Sequence, residues 1–285
     1  MPWIRPSRVW AFAAYEVRRV LARKKVLALV AFIVLLDTVP YYILSRVGVS
    51  LIPAELFPYL WVAGVIVPFA LFMQFVAILI AAGAMSEEYE SGTAEVLLAK
   101  PVRRVEFFVG KFLGGYALLA LLILLNAVLS VTAASLTFGA QAGLATFPGI
   151  VVVQVYSSAL FFSVAFMLGE LLRRSSLAYI FSSALIVASQ IIGTYLLIAY
   201  EFTGDAFYET LHVYLPTTLA GSLPPQYEQP LLPSSAGRLF QLILGPAVGT
   251  PSEVTAAALV GVYFVVATAV ALSYFRWADV SRRVG

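Results

Sequence analysis

The sequence predicts an all-α integral membrane protein with six transmembrane helices. Of its 285 residues, 61% are hydrophobic and only 12% are charged, and the mean hydropathy is +0.94. Soluble domains carry about 25% charged residues, so this chain lacks about half of the charged surface that a soluble enzyme needs. Six apolar runs are long enough to cross a hydrocarbon core, which takes about 20 helical residues; they lie at 26–45, 61–85, 107–136, 148–169, 177–200 and 254–275.

Residue counts exclude several kinds of catalytic site. The chain has no cysteine and one histidine, His212. A disulfide framework, a cysteine metal site and thiol catalysis are therefore excluded, and no site with several histidine ligands can form. We expect no bound metal and no cofactor on this chain.

The distribution of lysine and arginine predicts the topology. Sixteen of the 18 basic residues fall in 5–25, 86–111, 173–174 and 276–283, which alternate crossings place on one side of the membrane. Only Arg46 and Arg238 fall on the other side. The positive-inside rule then predicts that both termini lie in the cytoplasm. We expect a multi-pass protein of the plasma membrane. Because the basic excess is an orientation signal, nucleic acid is not an expected partner.

Residues 5–25 precede the first span and show a helical apolar pattern. Trp10, Ala13, Val17 and Val20 recur at spacings of three and four. This spacing is typical of an amphipathic helix in the cytoplasmic headgroup region. The alternative is an ordinary basic flank that anchors the first span.

The segment 201–253, between spans five and six, is expected outside the cell. It contains many prolines, and two stretches, 209–222 and 236–248, are apolar but too short to span. We expect them to form short re-entrant helices that dip back toward the bilayer.

The loop at 86–104 is the most unusual polar segment. It carries a dense run of acidic residues, then Gly92-Thr93, with Thr93 a candidate N-cap and Glu95 in the first turn. The apolar run 96–98 follows, and Pro101 disfavours helix before it. The pattern predicts a short amphipathic helix for docking a cytoplasmic partner. A solvated connection with random charges is the alternative.

This loop resembles a motif of the membrane subunit of type-two ATP-binding-cassette (ABC) exporters. The resemblance lies in E-x-x-x-G-T-x-x-x-L-L-x-x-P-V-x-R followed by G-K, and the matching residues are Glu88, Gly92, Thr93, Leu97, Leu98, Pro101, Val102, Arg104, Gly110 and Lys111. Six spans, an interfacial helix and a long external segment are also similar to that family. Arg103 stands where family members commonly have serine.

The resemblance implies a single permease domain over residues 1–285 and a role for the loop. Its helix would be the coupling helix, seated in a cleft of a separate ATPase subunit. Two permease chains, identical or related, would form the pathway, and external helices would cap its exit. The residues implied in ATPase coupling are Glu87, Glu88, Gly92, Thr93, Leu97, Leu98, Pro101 and Arg104.

No phosphate-binding loop is present in this sequence. Gly110-Lys111 lacks both the earlier glycine and the following hydroxyl of G-x-x-x-x-G-K-[ST]. We therefore expect the chain not to be an enzyme itself, with ATP and Mg²⁺ on the partner ATPase. A charge at Leu97 or Leu98 is predicted to abolish ATP-dependent transport while the chain still inserts.

Polar residues inside the apolar runs are candidates for a pathway or gate. An ionised Asp37 would be the most costly of them in a membrane. The others occur one per span in spans two to five: Gln74, Asn126, Gln154 and Gln190. Interhelical hydrogen bonding is the alternative use of such residues.

Three other functions compete with an exporter permease. A membrane subunit that passes ATPase motion to another protein would have the same architecture. A secondary carrier would need several intramembrane ionisable groups, and Asp37 is the one that is evident. An intramembrane enzyme would need a catalytic pair that the sequence does not offer.

Overall fold

The computed structural model describes residues 5–22, 24–48, 52–99, 101–231 and 250–278, and within these ranges the regular structure is helical throughout. The α-helices are α1 (Pro6–Leu21), α2 (Lys24–Ile43), α3 (Leu60–Pro68), α4 (Gln74–Glu90), α5 (Thr93–Leu98), α6 (Arg104–Phe138), α7 (Phe147–Leu172), α8 (Ser175–Thr203), α9 (Ala206–Val213), α10 (Pro216–Glu228) and α11 (Glu253–Trp277). The prediction of an all-α fold is confirmed for these residues.

Five helical stretches of the described chain are long and apolar enough to cross a membrane. They are Ala28–Arg46, Arg104–Phe138, Leu144–Leu172, Ser175–Thr203 and Glu253–Trp277. Five of the six predicted runs coincide with them. The run at 61–85 does not form one long α-helix, so the count of six spans stays a prediction.

That second run is helical throughout but is divided by a π-helical turn. α3 ends at Pro68, residues Phe69–Met73 form the turn, and α4 follows directly. Proline has no backbone N–H, so the regular i→i−4 hydrogen bonding of α3 is interrupted there. Gln154 of α7 donates to the carbonyl of Val65 at 2.9 Å and stabilises the interrupted segment.

The core of the bundle lies between α4, α6, α7 and α11. A cluster of aromatic rings joins α6 to α7: Phe112 makes edge-to-face contacts with Phe162 and Phe166, each with ring centroids 5.1 Å apart. α7 also approaches α4 closely, because a Cβ at Gly169 would lie 2.4 Å from the carbonyl oxygen of Ala82. These contacts hold α4 firmly at the centre of the bundle.

α1 packs along the first turns of α6. Gly110 and Gly114 of α6 face it, and a Cβ at Gly114 would lie 2.5 Å from the carbonyl oxygen of Ala13. The buried side of α1 contains Ala13, Glu16 and Val20. Trp10 is 76% exposed, so it lies off the buried stripe in which the sequence pattern placed it. The Gly-x-x-x-Gly spacing of α6 therefore allows the backbone of α1 to pack closely against α6.

We expect Gly114→Ala to destabilise the fold by pushing α1 away from α6. The added methyl would overlap the α1 backbone, and such overpacking costs about 1–3 kcal/mol. Gly221→Ala on α10 is the matched control, because a Cβ there meets nothing within 4 Å. Thermal unfolding in detergent should show a lower midpoint for Gly114→Ala alone; equal midpoints would contradict the close packing.

The segment between the last two predicted spans begins with two helices where one was predicted. One helix was expected over 209–222, whereas the structure has α9 and α10 with a break at Tyr214–Leu215. The break follows from Pro216, which takes the first helical position and holds Leu215 extended. α10 buries Leu219 and Leu223 in the main core. The other expected helix, 236–248, lies outside the described residues.

Candidate coupling site

α5 presents one face to the bundle and one to the surroundings. Ala94 is buried, and Leu97 and Leu98 are partly buried against the main core. Glu95 and Val96 are exposed, with Val96 at 65%. The helix is therefore fixed on its inner face and offers a small, mixed apolar and acidic surface outward.

The start of α5 differs from the predicted cap. Gly92 is the N-cap, with φ +72°, a left-handed conformation that favours glycine. Thr93 is the first residue of the helix, and its hydroxyl donates to the carboxylate of Glu88. The prediction of Thr93 as N-cap is thus wrong. Thr93 instead ties the helix to the end of α4.

Glu88 belongs to a buried ionic cluster centred on Lys111. The Lys111 ammonium, fully buried, lies 2.6 Å from a carboxylate oxygen of Glu16 and also contacts Glu88. Glu16 and Glu88 are themselves buried. Since buried charges are stable only when paired, these three residues bind α1, α4 and α6 to one another.

Arg19 extends this cluster to the surface. Its guanidinium lies 2.5 Å from Glu16, 3.3 Å from Glu87 and 3.4 Å from Glu88. Glu87 in turn accepts from the hydroxyl of Tyr179 on α8 at 3.1 Å. The last turn of α1 is therefore bound to the entry of the α5 loop.

The first turn of α1 is bound to the exit of the same loop. Arg8 donates to the carbonyl of Pro101 at 2.5 Å. Glu106 accepts from the backbone N–H of Arg5 at 2.8 Å and from that of Arg103 at 3.2 Å. α1 thus spans the loop and contacts both of its flanks.

Two further contacts connect the loop to α7 and α8. The hydroxyl of Tyr89 is 2.7 Å from a carboxylate oxygen of the buried Glu170 near the end of α7. Glu90 accepts from the backbone N–H of Ser175 at 2.8 Å and from its hydroxyl at 2.7 Å. Glu90 therefore satisfies N-terminal donors of α8 that the helix leaves unpaired.

The loop exit also contacts the end of the last helix. Arg104 donates to the carbonyl oxygens of Phe275, Arg276 and Ala278, at 3.2, 3.2 and 2.9 Å. The described residues of the four segments that the charge pattern placed on one side thus meet at one end of the bundle. We call this the α5 end.

Comparison with known protein families identifies the class of this membrane protein. A model of the ABC-2 family transporter proteins matches residues 10–280, from α1 through the α5 loop to the last described helix. This chain belongs to the ABC-2 transporter membrane family. The resemblance to the membrane subunits of this family is therefore confirmed, and the chain is a transmembrane permease subunit of an ABC transporter. Among curated proteins, none matches it.

Several residues of this ABC-2 permease that were predicted to couple it to an ATPase anchor the loop in the structure. Glu87, Glu88, Thr93, Pro101 and Arg104 hold the loop to the bundle, and Leu97 and Leu98 face inward. The outward surface is formed by Glu95 and Val96, which the sequence motif did not single out. Which of these residues meet an ATPase stays a prediction.

The polar residues inside the predicted spans of the permease contact different elements. Asn126 donates to both carboxylate oxygens of Asp37, at 2.8 and 2.9 Å, and joins α2 to α6. Gln154 donates a hydrogen bond to a backbone carbonyl of α3, and Gln74 is buried at the start of α4. Gln190 is exposed on α8. The pairing of Asp37 with Asn126 was not predicted.

Sequence reasoning also missed Glu16 and Arg19 as members of the ionic cluster. Their signal was available: Glu16 is the one acidic residue in α1 and falls on its apolar side, and Lys111 stands inside an apolar run. A charge on an apolar face requires a partner.

Glu88 should make the stability of this permease sensitive to acid. Burial raises its pKa, but the Lys111 ammonium, with Thr93 and Arg19, outweighs burial and holds the pKa below its ordinary value. Its ionisation therefore stabilises the fold above the ordinary carboxyl pKa of about 4.3, and this stabilisation is lost as pH falls through the lower folded value. Unfolding midpoints from pH 6 to pH 3 should fall more for the native chain than for Glu88→Gln; parallel curves would contradict this assignment.

Proposed function

We propose that this ABC-2 permease is half of an exporter whose dimeric pathway is driven by separate cytoplasmic ATPase subunits. The observation that supports the proposal best is the setting of α5. Its inner face is packed in the core, its flanks are held by ionic contacts, and Val96 stands out from the α5 end. A short helix that only connected two spans would not need these anchors.

The anchors give a path for movement from the ATPase into the membrane. Closure of an ATPase pair on bound ATP and Mg²⁺ would push α5. If the loop around α5 were flexible, it would absorb this movement instead of transmitting it. Here the Glu88–Lys111 contact passes it to α6, Arg19 passes it to α1, and the Tyr89–Glu170 bond passes it to α7. Packed elements shift between discrete arrangements, which suits a switch between inward-facing and outward-facing states.

The outward surface of α5 indicates the chemistry of the ATPase cleft. Val96 is the exposed apolar residue of α5, so an apolar group of the ATPase would suit it. Because the inner residues are engaged by the bundle, the contact is confined to this small surface. The proposed cleft is apolar where it meets Val96.

The opposite end of the bundle suits the exit of an exporter. α10 packs against α7 and α11 there, and Gln226 donates to the carbonyl of Pro251 at 2.9 Å. Thr146, just before α7, donates to the buried Glu228 at 3.3 Å. We propose that α9 and α10 cap the outer opening, as re-entrant helices would.

The orientation follows from the charges collected at the α5 end. The four basic segments meet there, so the positive-inside rule supports a cytoplasmic α5 end, cytoplasmic termini and six crossings. In this arrangement the second span lies within the helical stretch from Leu60 to Glu90, with its π-helical turn, and the acidic residues that follow residue 85 lie on the cytoplasmic side.

Purification of the tagged chain from its native host in mild detergent tests the proposal. We expect a soluble ATPase with Walker motifs to co-purify at one copy per permease, with two permeases in the complex. Reconstitution into vesicles should then distinguish export from transmission of motion to another protein. A homogeneous permease without an ATPase, unchanged by added ATP, would contradict the proposal and favour a secondary carrier.

A further inference from the structure

The contact between Asp37 and Asn126 lies deep in the membrane-spanning part of the chain. Asp37 is the midpoint of the apolar stretch Ala28–Arg46 and is 1% exposed, and Asn126 is fully buried. Among the described residues, no lysine, arginine or histidine forms an ion pair with Asp37. Within the part of the chain that the structure describes, the carboxyl group is therefore isolated from water and from compensating positive charge.

The hydrogen bonds of this pair are incomplete as they stand. The amide nitrogen Nδ2 of Asn126 lies within hydrogen-bond distance of both Asp37 oxygens. The amide oxygen Oδ1 is buried and has no hydrogen-bond partner within the described ranges. An ionised carboxylate can only accept hydrogen bonds, so it cannot satisfy that oxygen.

We propose that Asp37 and Asn126 form a proton-binding site, in which a neutral carboxylic acid pairs with the carboxamide. One proton passes from a hydronium ion to the Asp37 carboxylate, and a water molecule is left in solution. A small rotation of the amide then lets the acid O–H donate to Asn126 Oδ1 while Nδ2 donates to the other acid oxygen. This arrangement satisfies the orphaned oxygen and removes a charge that a low-dielectric interior strongly disfavours.

The surroundings of the pair favour the neutral acid. The nearest titratable group on the same helix is Tyr41, one turn away, and its hydroxyl is engaged at 2.7 Å by Ser130 of α6 and at 3.0 Å by the Leu60 carbonyl of α3. Ser130 also donates to the carbonyl of Trp61 at 2.8 Å. These groups are uncharged, so none of them compensates an ionised Asp37.

The chain offers an unusually direct test, because it contains three aspartates, Asp37, Asp205 and Asp279. Side-chain carboxyl labelling with ¹³C-aspartate, in the full chain reconstituted in lipid nanodiscs, gives three carboxyl signals. The signal lost in Asp37→Asn belongs to Asp37. We expect that signal to report a neutral acid at pH 7, and its infrared C=O stretch to shift when Asn126→Leu removes the hydrogen bond.

A merely structural role for the pair would give a different result. An Asp37 signal that reports a carboxylate at pH 7 would overturn the proposal, and its movement on exchange of Na⁺ for K⁺ would assign the site to a metal cation. Asp37→Asn, which mimics the neutral acid, should keep the native unfolding midpoint within a degree or two, whereas Asp37→Leu should lower it. Equal loss in both variants would also count against a neutral acid. These readouts do not depend on transport or on an ATPase.

Discussion

Replacing Val96 with glutamate is expected to abolish ATP-driven transport while the permease still inserts and folds. Val96 is 65% exposed and contacts the bundle little, so a charge there should cost little stability. In the proposed ATPase cleft, the same charge would be buried without a partner, which disfavours the contact by several kcal/mol. The measurement is transport and ATPase activity of the reconstituted complex, with at least a hundredfold loss expected.

Val254→Glu is the matched control for this variant. Val254 is also valine, is 79% exposed and lies in the first turn of α11, at the end of the bundle opposite α5. It should retain transport near the native level. Leu97 and Leu98 are less informative positions, because they face the core and a charge there would also disturb packing. Full coupled transport by Val96→Glu would show that this surface does not meet the ATPase.

Replacing Lys111 with methionine is expected to destabilise the permease more than any surface change. Lys111 is fully buried between Glu16 and Glu88, and its removal leaves two buried carboxylates close together with only the partly exposed Arg19 beside them among the described residues. Breaking a buried ion pair typically costs about 3–5 kcal/mol. Thermal unfolding of the purified chain should show a midpoint lower by many degrees, with loss of ATPase coupling.

A second substitution separates the lost charge from lost packing. In Lys111→Met with Glu88→Gln, Arg19 faces Glu16 without the second buried carboxylate, so part of the stability should return. Glu90→Gln serves as the comparison, because Glu90 contacts Ser175 rather than Lys111. If Glu90→Gln restored Lys111→Met as well as Glu88→Gln does, the specific ionic cluster would be contradicted.

The helices themselves could be predicted well from the sequence, because long apolar runs are a strong local signal. Five predicted spans coincide with helices of membrane length, and the amphipathic α1 occupies most of the expected range. The second run was harder to predict, since a π-helical turn follows Pro68, and the hydrogen bond from Gln154 of α7 to Val65 just before it joins residues far apart in the chain. The break before Pro216 could have been predicted, because the residue before a proline disfavours helix.

The site could be predicted only in part. The loop motif identified the family and the position of α5. Both could be predicted because the motif consists of residues that are close together in the sequence. The partners of Lys111 depend on tertiary structure: Glu16 is 95 residues away and Glu88 is 23 away. The same holds for Asp37 and Asn126, 89 residues apart. Spacing along one helix cannot show such pairs, although each buried charge indicates that a partner exists.

Site-specific cross-linking tests the central proposal, that α5 meets an ATPase, most directly. The chain contains no cysteine, so Val96→Cys and Val254→Cys each introduce a single thiol. With the co-purified complex and a short thiol-to-amine cross-linker, we predict a permease–ATPase product from Val96→Cys that changes in yield on addition of ATP and Mg²⁺. Val254→Cys should give none. No product from Val96→Cys, or equal product from both thiols, would contradict the account.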